Sequence, residues 1–149
     1  MNSIQFKADR IKFLNTILKD LNFIKEQVFK FVSDFKPTWV INCAAWTDVD
    51  GAETNAAAAY TANYIGARNV AIVAASSGIK LVHISTDFVY PGELHRPLLE
   101  TDSTDPKSVY GSSKLAGEDA VLAHCPAAVI IRTGYIFGHH GPNLIHKIS

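Results

Sequence analysis

Tyr110 and Lys114 are the pair of side chains in this sequence best suited to moving a proton. They stand four apart in VYGSSKLAGEDA, residues 109–120, at the start of a stretch that reads as a helix. Residues i and i+4 share a helix face, so a phenol and an ammonium can meet there. A free tyrosine titrates near 10, and a neighbouring ammonium favours the phenolate, which brings the phenol closer to useful acid–base range. Spacing alone does not separate this pair from an ordinary amphipathic first turn. Thr86 adds a third group: in HISTDFVYPG, residues 83–92, it follows an apolar run, and its hydroxyl could hydrogen-bond a substrate carbonyl or alkoxide. The competing reading of Ser85, Thr86 and Asp87 is turn and cap chemistry.

The elements that must position these groups follow from periodicity. Residues 22–35 carry apolar side chains at Phe23, Ile24, Val28, Phe31, Val32 and Phe35, which is a helix with one apolar face, ended at Lys36-Pro37. Residues 39–43 read as a short buried strand and residues 44–53 as the loop beyond it. The alanine-rich stretch 55–77 predicts one long helix closed by Gly78. Residues 80–85 are a second strand, 91–107 a loop holding three prolines, 108–124 a helix and 127–132 a third strand. Such alternation specifies an α/β fold, a parallel sheet covered on both faces, in which ligands bind beyond the carboxyl ends of the strands. Loops 44–50, 86–91 and 133–143 therefore converge on one site.

Bulk composition sets the class. A chain of 149 residues, 48% apolar and 19% charged, is one soluble domain's worth. Fourteen basic and fourteen acidic side chains balance, which gives no reason to expect a nucleic-acid or membrane surface. No stretch approaches membrane-spanning length and no signal segment opens the chain, so a cytoplasmic location is expected. The two cysteines, Cys43 and Cys125, read as buried free thiols in a reducing compartment. The histidines His83, His95, His124, His139, His140 and His146 lack Glu or Cys at ligand spacing, and no metal site is expected.

Longer stretches now carry a resemblance. A strand-end hydroxyl followed by Tyr-x-x-x-Lys on a helix resembles the extended short-chain dehydrogenase/reductase superfamily. PTWVINCAAWTDVDGAE (37–53), HISTDFVYPG, ETDSTDPKSVYGSSKLAGE (100–118) and IIRTGYIFG (130–138) resemble, in order and spacing, segments of the dTDP-4-dehydrorhamnose reductase family. The likeness runs over about residues 20–143. It implies a single Rossmann-like, doubly wound NAD(P)-binding domain and reduction of dTDP-4-dehydro-L-rhamnose to dTDP-L-rhamnose with NADPH or NADH. It further implies Thr86, Tyr110 and Lys114 as the catalytic set. Lys114 would lower the tyrosine's pKa and hold the nicotinamide ribose. Ala45, Trp46 and Thr47 would border the cofactor, while Asp87 and Tyr135 would contact the sugar. Trp46 packing on Val49, Tyr135 as a core aromatic and Asn63 as a structural residue are the plainer alternatives.

The sequence also departs from that family. The first glycine is Gly51, so the opening strand and glycine-rich turn that would approach a pyrophosphate are not recognisable. Nor is the sugar-nucleotide lobe, which would follow the last residues. The expectation is an incomplete sheet with an exposed edge or face, weak NADPH affinity and little or no activity for this chain alone. A homodimer or a partner chain would cover that face. Two other readings stay open: a binding module similar to the regulatory β subunit of methionine adenosyltransferase, and another sugar-nucleotide reductase or epimerase of the superfamily.

Overall fold

A computed structural model of the chain describes residues 20–92 and 96–136. Its first element is α1, Leu21–Phe35. The Asp20 carboxylate opens it by accepting from the backbone N–H groups of Asn22 (2.9 Å) and Phe23 (3.1 Å). Lys36, at φ +46°, turns the chain out ahead of Pro37. Three parallel strands follow in the spatial order β1-β2-β3: β1 is Trp39–Asn42, β2 is Lys80–Thr86 and β3 is Val129–Thr133. Register pairs Asn42 with His83, Ser85 with Arg132 and Thr86 with Thr133.

The crossover between β1 and β2 is richer than periodicity predicts. The expected loop 44–53 contains a short helix, α2, Val49–Thr54, whose N-cap Asp48 accepts from Gly51 N–H at 3.0 Å. Asn55 then breaks the chain at φ −129°, ψ 42°, ahead of α3, Ala56–Tyr60. A π-helical turn, Thr61–Gly66, leads into α4, Ala67–Ser76. The single helix expected over 55–77 is thus a composite, widened where Asn63 points inward. Gly78, at φ +67°, closes α4 as expected: Gly78 N–H reaches Ala75 O (3.2 Å) and Ile79 N–H reaches Ala74 O (2.9 Å). That pair of bonds is a Schellman motif. After β2 and a 3₁₀ turn, Asp87–Val89, the chain reaches α5, Val109–His124. There the Ser108 hydroxyl accepts from Gly111 N–H at 3.0 Å.

One face of the sheet is covered by α4 and α5. Ala67, Ala71, Ala74, Leu81, Val121 and Cys125 form its core, with Val40 and Ile130 packed beside them. Small side chains at i, i+4 and i+7 of α4 let the helix lie close to the strands. On the opposite face Trp39, Ile41, Val129 and Ile131 remain 45–63% exposed, and nothing among the described residues covers them. The strands expected to be buried are therefore buried on one side here.

The two helices approach each other closely at Gly117. A Cβ there would collide with the backbone carbonyl of Asn63, in the π-helical turn. Gly117→Ala should therefore force α5 away from the turn and destabilise the fold by about 1–3 kcal/mol, the usual cost of overpacking. Urea unfolding monitored by far-UV circular dichroism measures it. A midpoint unchanged from the parent chain would contradict the close approach.

Candidate active site

Alternation along β2 delivers two different surfaces. Leu81, His83 and Ser85 face the helices, while Val82, Ile84 and Thr86 face the other way. Thr86 ends the strand, and its hydroxyl caps the turn that follows by accepting from Phe88 N–H at 3.2 Å. The same hydroxyl donates to the Asp87 carboxylate at 3.2 Å. Phe88 then packs its ring edge-on against Tyr110, with centroids 5.7 Å apart. The phenol is positioned by the strand-end turn as well as by its own helix.

Lys114 lies one turn further along α5 and is 2% exposed. Its ammonium donates to the carbonyl of Ile84 at 2.6 Å, tying the helix to the last residues of β2. A cavity of about 800 Å³ opens at the carboxyl ends of the strands and is lined by Tyr110, Lys114, Thr86, Asp87, Thr133 and Tyr135, among others. Ala45, Thr47 and Cys43 border it on the β1 side. Of the residues singled out from sequence, the structure thus gathers Ala45, Thr47, Thr86, Asp87, Tyr110, Lys114 and Tyr135 around one space. Trp46 is not among the lining residues.

The Trp46 backbone is instead anchored from below. Asn63, 1% exposed, accepts from Trp46 N–H (2.8 Å) and donates to Trp46 O (3.2 Å) and to the Ser113 hydroxyl (2.9 Å). Ser113 in turn donates to the carbonyl of Tyr110 at 2.8 Å. One buried amide therefore fixes the loop after β1 against the first turn of α5, which gives the π-helical turn its purpose.

Charge states depart from the sequence expectation at one point. Burial raises the Tyr110 phenol above its ordinary value, a hydrogen bond with Thr86 opposes this, and the Asp87 carboxylate adds to the rise. The expected lowering by Lys114 is not what this arrangement gives, because the ammonium is aimed at the Ile84 carbonyl. Lys114 itself is lowered to about 8, chiefly by burial, with Glu118 and then Cys43 opposing. Cys43 is exposed at the cavity rather than buried, because β1 ends at Asn42 and releases the next residue toward the strand ends. Cys125 is buried as expected.

Sequence reasoning missed a polar cluster behind the site. Arg132 grips Glu118 with Nε at 3.1 Å from both carboxylate oxygens and Nη2 at 2.7 Å from Oε2. Ser85 Oγ donates to Glu118 Oε1, and Arg132 Nη1 donates to the Tyr90 hydroxyl at 2.8 Å. The signal was present: Glu118 follows Lys114 by one helical turn, and parallel register sets Ser85 beside Arg132. Among the described residues no group of three or more His, Cys, Asp or Glu side chains could hold a metal ion. His95, His139, His140, His146 and residues 137–143 of the third expected loop lie outside the described residues.

A parallel sheet with helices on its face and polar side chains gathered at its carboxyl edge defines a Rossmann-like α/β protein. The sequence matches the family described as RmlD substrate binding domain over residues 4–149, and the chain belongs to that family. It is 50% identical over 102 residues to a dTDP-4-dehydrorhamnose reductase of Mycobacterium tuberculosis, covering 66% of this chain and 34% of that protein. It is 44% identical over 118 residues to a dTDP-4-keto-6-deoxy-D-glucose reductase of Streptomyces niveus, covering 78% of this chain and 41% of the relative. The structure of a dTDP-4-dehydrorhamnose reductase from Bacillus anthracis in complex with NADP superposes with a TM-score of 0.80 at 36% identity. That superposition covers 88% of this chain and 45% of the other. The chain spans less than half the length of each of these relatives.

One titration within the fold has a predictable sign. His83 is fully buried, accepts at Nδ1 from the Asn42 side-chain amide at 3.0 Å, and is lowered from 6.5 to about 4 by burial and by Lys114. Below pH 6.5 the unfolded chain binds a proton that folded His83 refuses, so stability falls as pH drops. The loss accumulates down to about pH 4 and amounts to roughly 3 kcal/mol. Urea denaturation at intervals across that window should show the slope, and His83→Gln should flatten it. An equal slope in both chains would contradict the assignment.

Proposed function

We propose that this chain carries the proton-delivering part of an NADPH-dependent reductase that converts dTDP-4-dehydro-L-rhamnose to dTDP-L-rhamnose. The observation that carries the reading is the convergence of Thr86, Tyr110 and Lys114 on one cavity at the carboxyl ends of the strands. Tyr110, held above its ordinary pKa, is a phenol at neutral pH and has a proton to give to the carbonyl oxygen. Thr86 orients that oxygen by turning its hydroxyl proton from the Asp87 carboxylate toward it. Asp87 and Tyr135 stand at the cavity wall, where sugar hydroxyls would meet a carboxylate and an aromatic face.

NADPH, when bound, supplies the hydride. The residues present fit its nicotinamide end: Lys114 offers a buried ammonium for ribose hydroxyls, and Ala45 and Thr47 line the same cavity as Tyr110. The Asn63 amide keeps the Trp46 backbone beside these two residues, so Trp46 serves the site through its main chain. The NADP complex of the Bacillus anthracis reductase and the names of the relatives support the choice of cofactor and substrate class.

A single-turnover reaction with the chain in excess tests the reading. Deuterium from 4-deuterated NADPH should appear in the sugar-nucleotide product, slowly, and Tyr110→Phe should reduce the rate by about 10²–10⁴. The rate should also fall as pH rises through about 8, where Lys114 loses its charge. Equal rates for the parent and Tyr110→Phe would overturn the assignment of the acid.

A further inference from the structure

Glu118 is 2% exposed and does not itself line the cavity described above, but its partner Ser85 does, and on its other side it borders a second cavity of about 480 Å³ with Tyr90, Leu99 and Arg132. Its acceptor capacity is spent: three contacts come from the Arg132 guanidinium and one from Ser85 Oγ. Ser85 itself lines the first cavity, and the other members of the cluster adjoin residues that do. Ser85 precedes Thr86, Arg132 precedes Thr133, and Glu118 itself follows Lys114 by one helical turn. Arg132 extends the grip to Tyr90, whose hydroxyl donates to Leu99 O at 3.0 Å. One buried anion thus holds two strand ends and the helix that carries the phenol and the ammonium.

We propose that Glu118 is the positioning residue of this site: clamped by Ser85 and Arg132, it fixes the carboxyl ends of β2 and β3 against α5 and sets its charge one helical turn from Lys114, beside the cavity. The proposal rests on the reading that Lys114 serves the reaction as a cation. The ionisable groups around Lys114 are Cys43 at the end of β1, His83 on β2, Asp87 in the strand-end turn, Tyr110 and Glu118 on its own helix, and Arg132 on β3 behind Glu118. Burial works against its charge, and Glu118 is the largest influence in its favour, ahead of Cys43. An uncharged side chain at position 118 would leave the ammonium with the Ile84 carbonyl and too little counter-charge.

The experiment is a pH titration of the Lys114 side chain in the full chain, followed by ¹³Cε NMR of labelled lysine, with Lys114→Gln assigning the signal. In the parent chain the midpoint should lie near 8. Glu118→Gln should move it down by about one pH unit, the lower end of what a nearby opposite charge supplies. Breaking a buried pair from one side is strongly destabilising, so the double variant Glu118→Met with Arg132→Met is measured in parallel, since a hydrophobic replacement of both partners preserves folding. The double variant should melt close to the parent and still show a downward movement of Lys114, smaller than in Glu118→Gln because the opposing Arg132 charge is removed as well. An unchanged Lys114 midpoint in the folded double variant would overturn the proposal and leave the pair as a stability element. No nucleotide enters this titration, so absent hydride transfer with a displaced Lys114 midpoint would count against the proposed reaction and not against Glu118.

Discussion

A buried ammonium is the constraint on which this site depends. Lys114 is withdrawn from water almost completely, and an uncompensated charge in that position is unaffordable in a folded chain. Three compensations are visible: the Ile84 carbonyl at 2.6 Å, the Glu118 carboxylate one turn away, and partial neutralisation as its pKa falls to about 8. Each ties a different part of the fold to the same nitrogen. The first fastens α5 to the end of β2, the second brings in β3 through Arg132, and the third leaves the residue poised to change charge just above neutral pH.

The covered face of β2 shows how the chain manages the change from core to site. Along seven residues its helix-facing side chains run Leu81, His83, Ser85. The first belongs to the apolar core, the second bonds Asn42, and the third meets Glu118. Polarity increases toward the carboxyl end, where Ser85 and Thr86 stay buried and a cavity begins. Most of the polar groups buried there have partners, as buried polar groups must. His83 Nε2 is among the few that do not, and the neutral ring is consistent with its strongly lowered pKa. The opposite face, bearing Trp39, Ile41, Val129 and Ile131, stays apolar and uncovered among the described residues.

Much of this was legible before any coordinates. The order helix, strand, helix, strand, helix, strand specified a parallel α/β sheet, and the helix ends at Pro37 and Gly78 were readable from proline and glycine chemistry, whereas the Ser108 N-cap was not. Thr86, Tyr110 and Lys114 were named from spacing together with resemblance, and the cavity contains all three. Other features left no periodic signal. α2 has six residues with a glycine inside it, and the π-helical turn around Asn63 interrupts a run of alanines that predicts an unbroken helix. Cys43 extends an apolar run, yet it lies past the last paired residue of β1 and turns outward. The direction of the Lys114 ammonium, toward a main-chain carbonyl and not toward the phenol, is a three-dimensional fact that i, i+4 spacing leaves open.

The central claim is that Tyr110 and Lys114 meet a substrate carbonyl and a nicotinamide ribose in the cavity at the strand ends. The most direct measurement is a crystal structure of the chain with NADP and a dTDP-sugar at saturating concentration. The account predicts the Tyr110 hydroxyl within about 3 Å of the sugar C4 oxygen, with Lys114 bonded to the ribose. Nucleotide density elsewhere on the molecule, or a sugar whose C4 oxygen lies out of reach of both Tyr110 and Thr86, would contradict it.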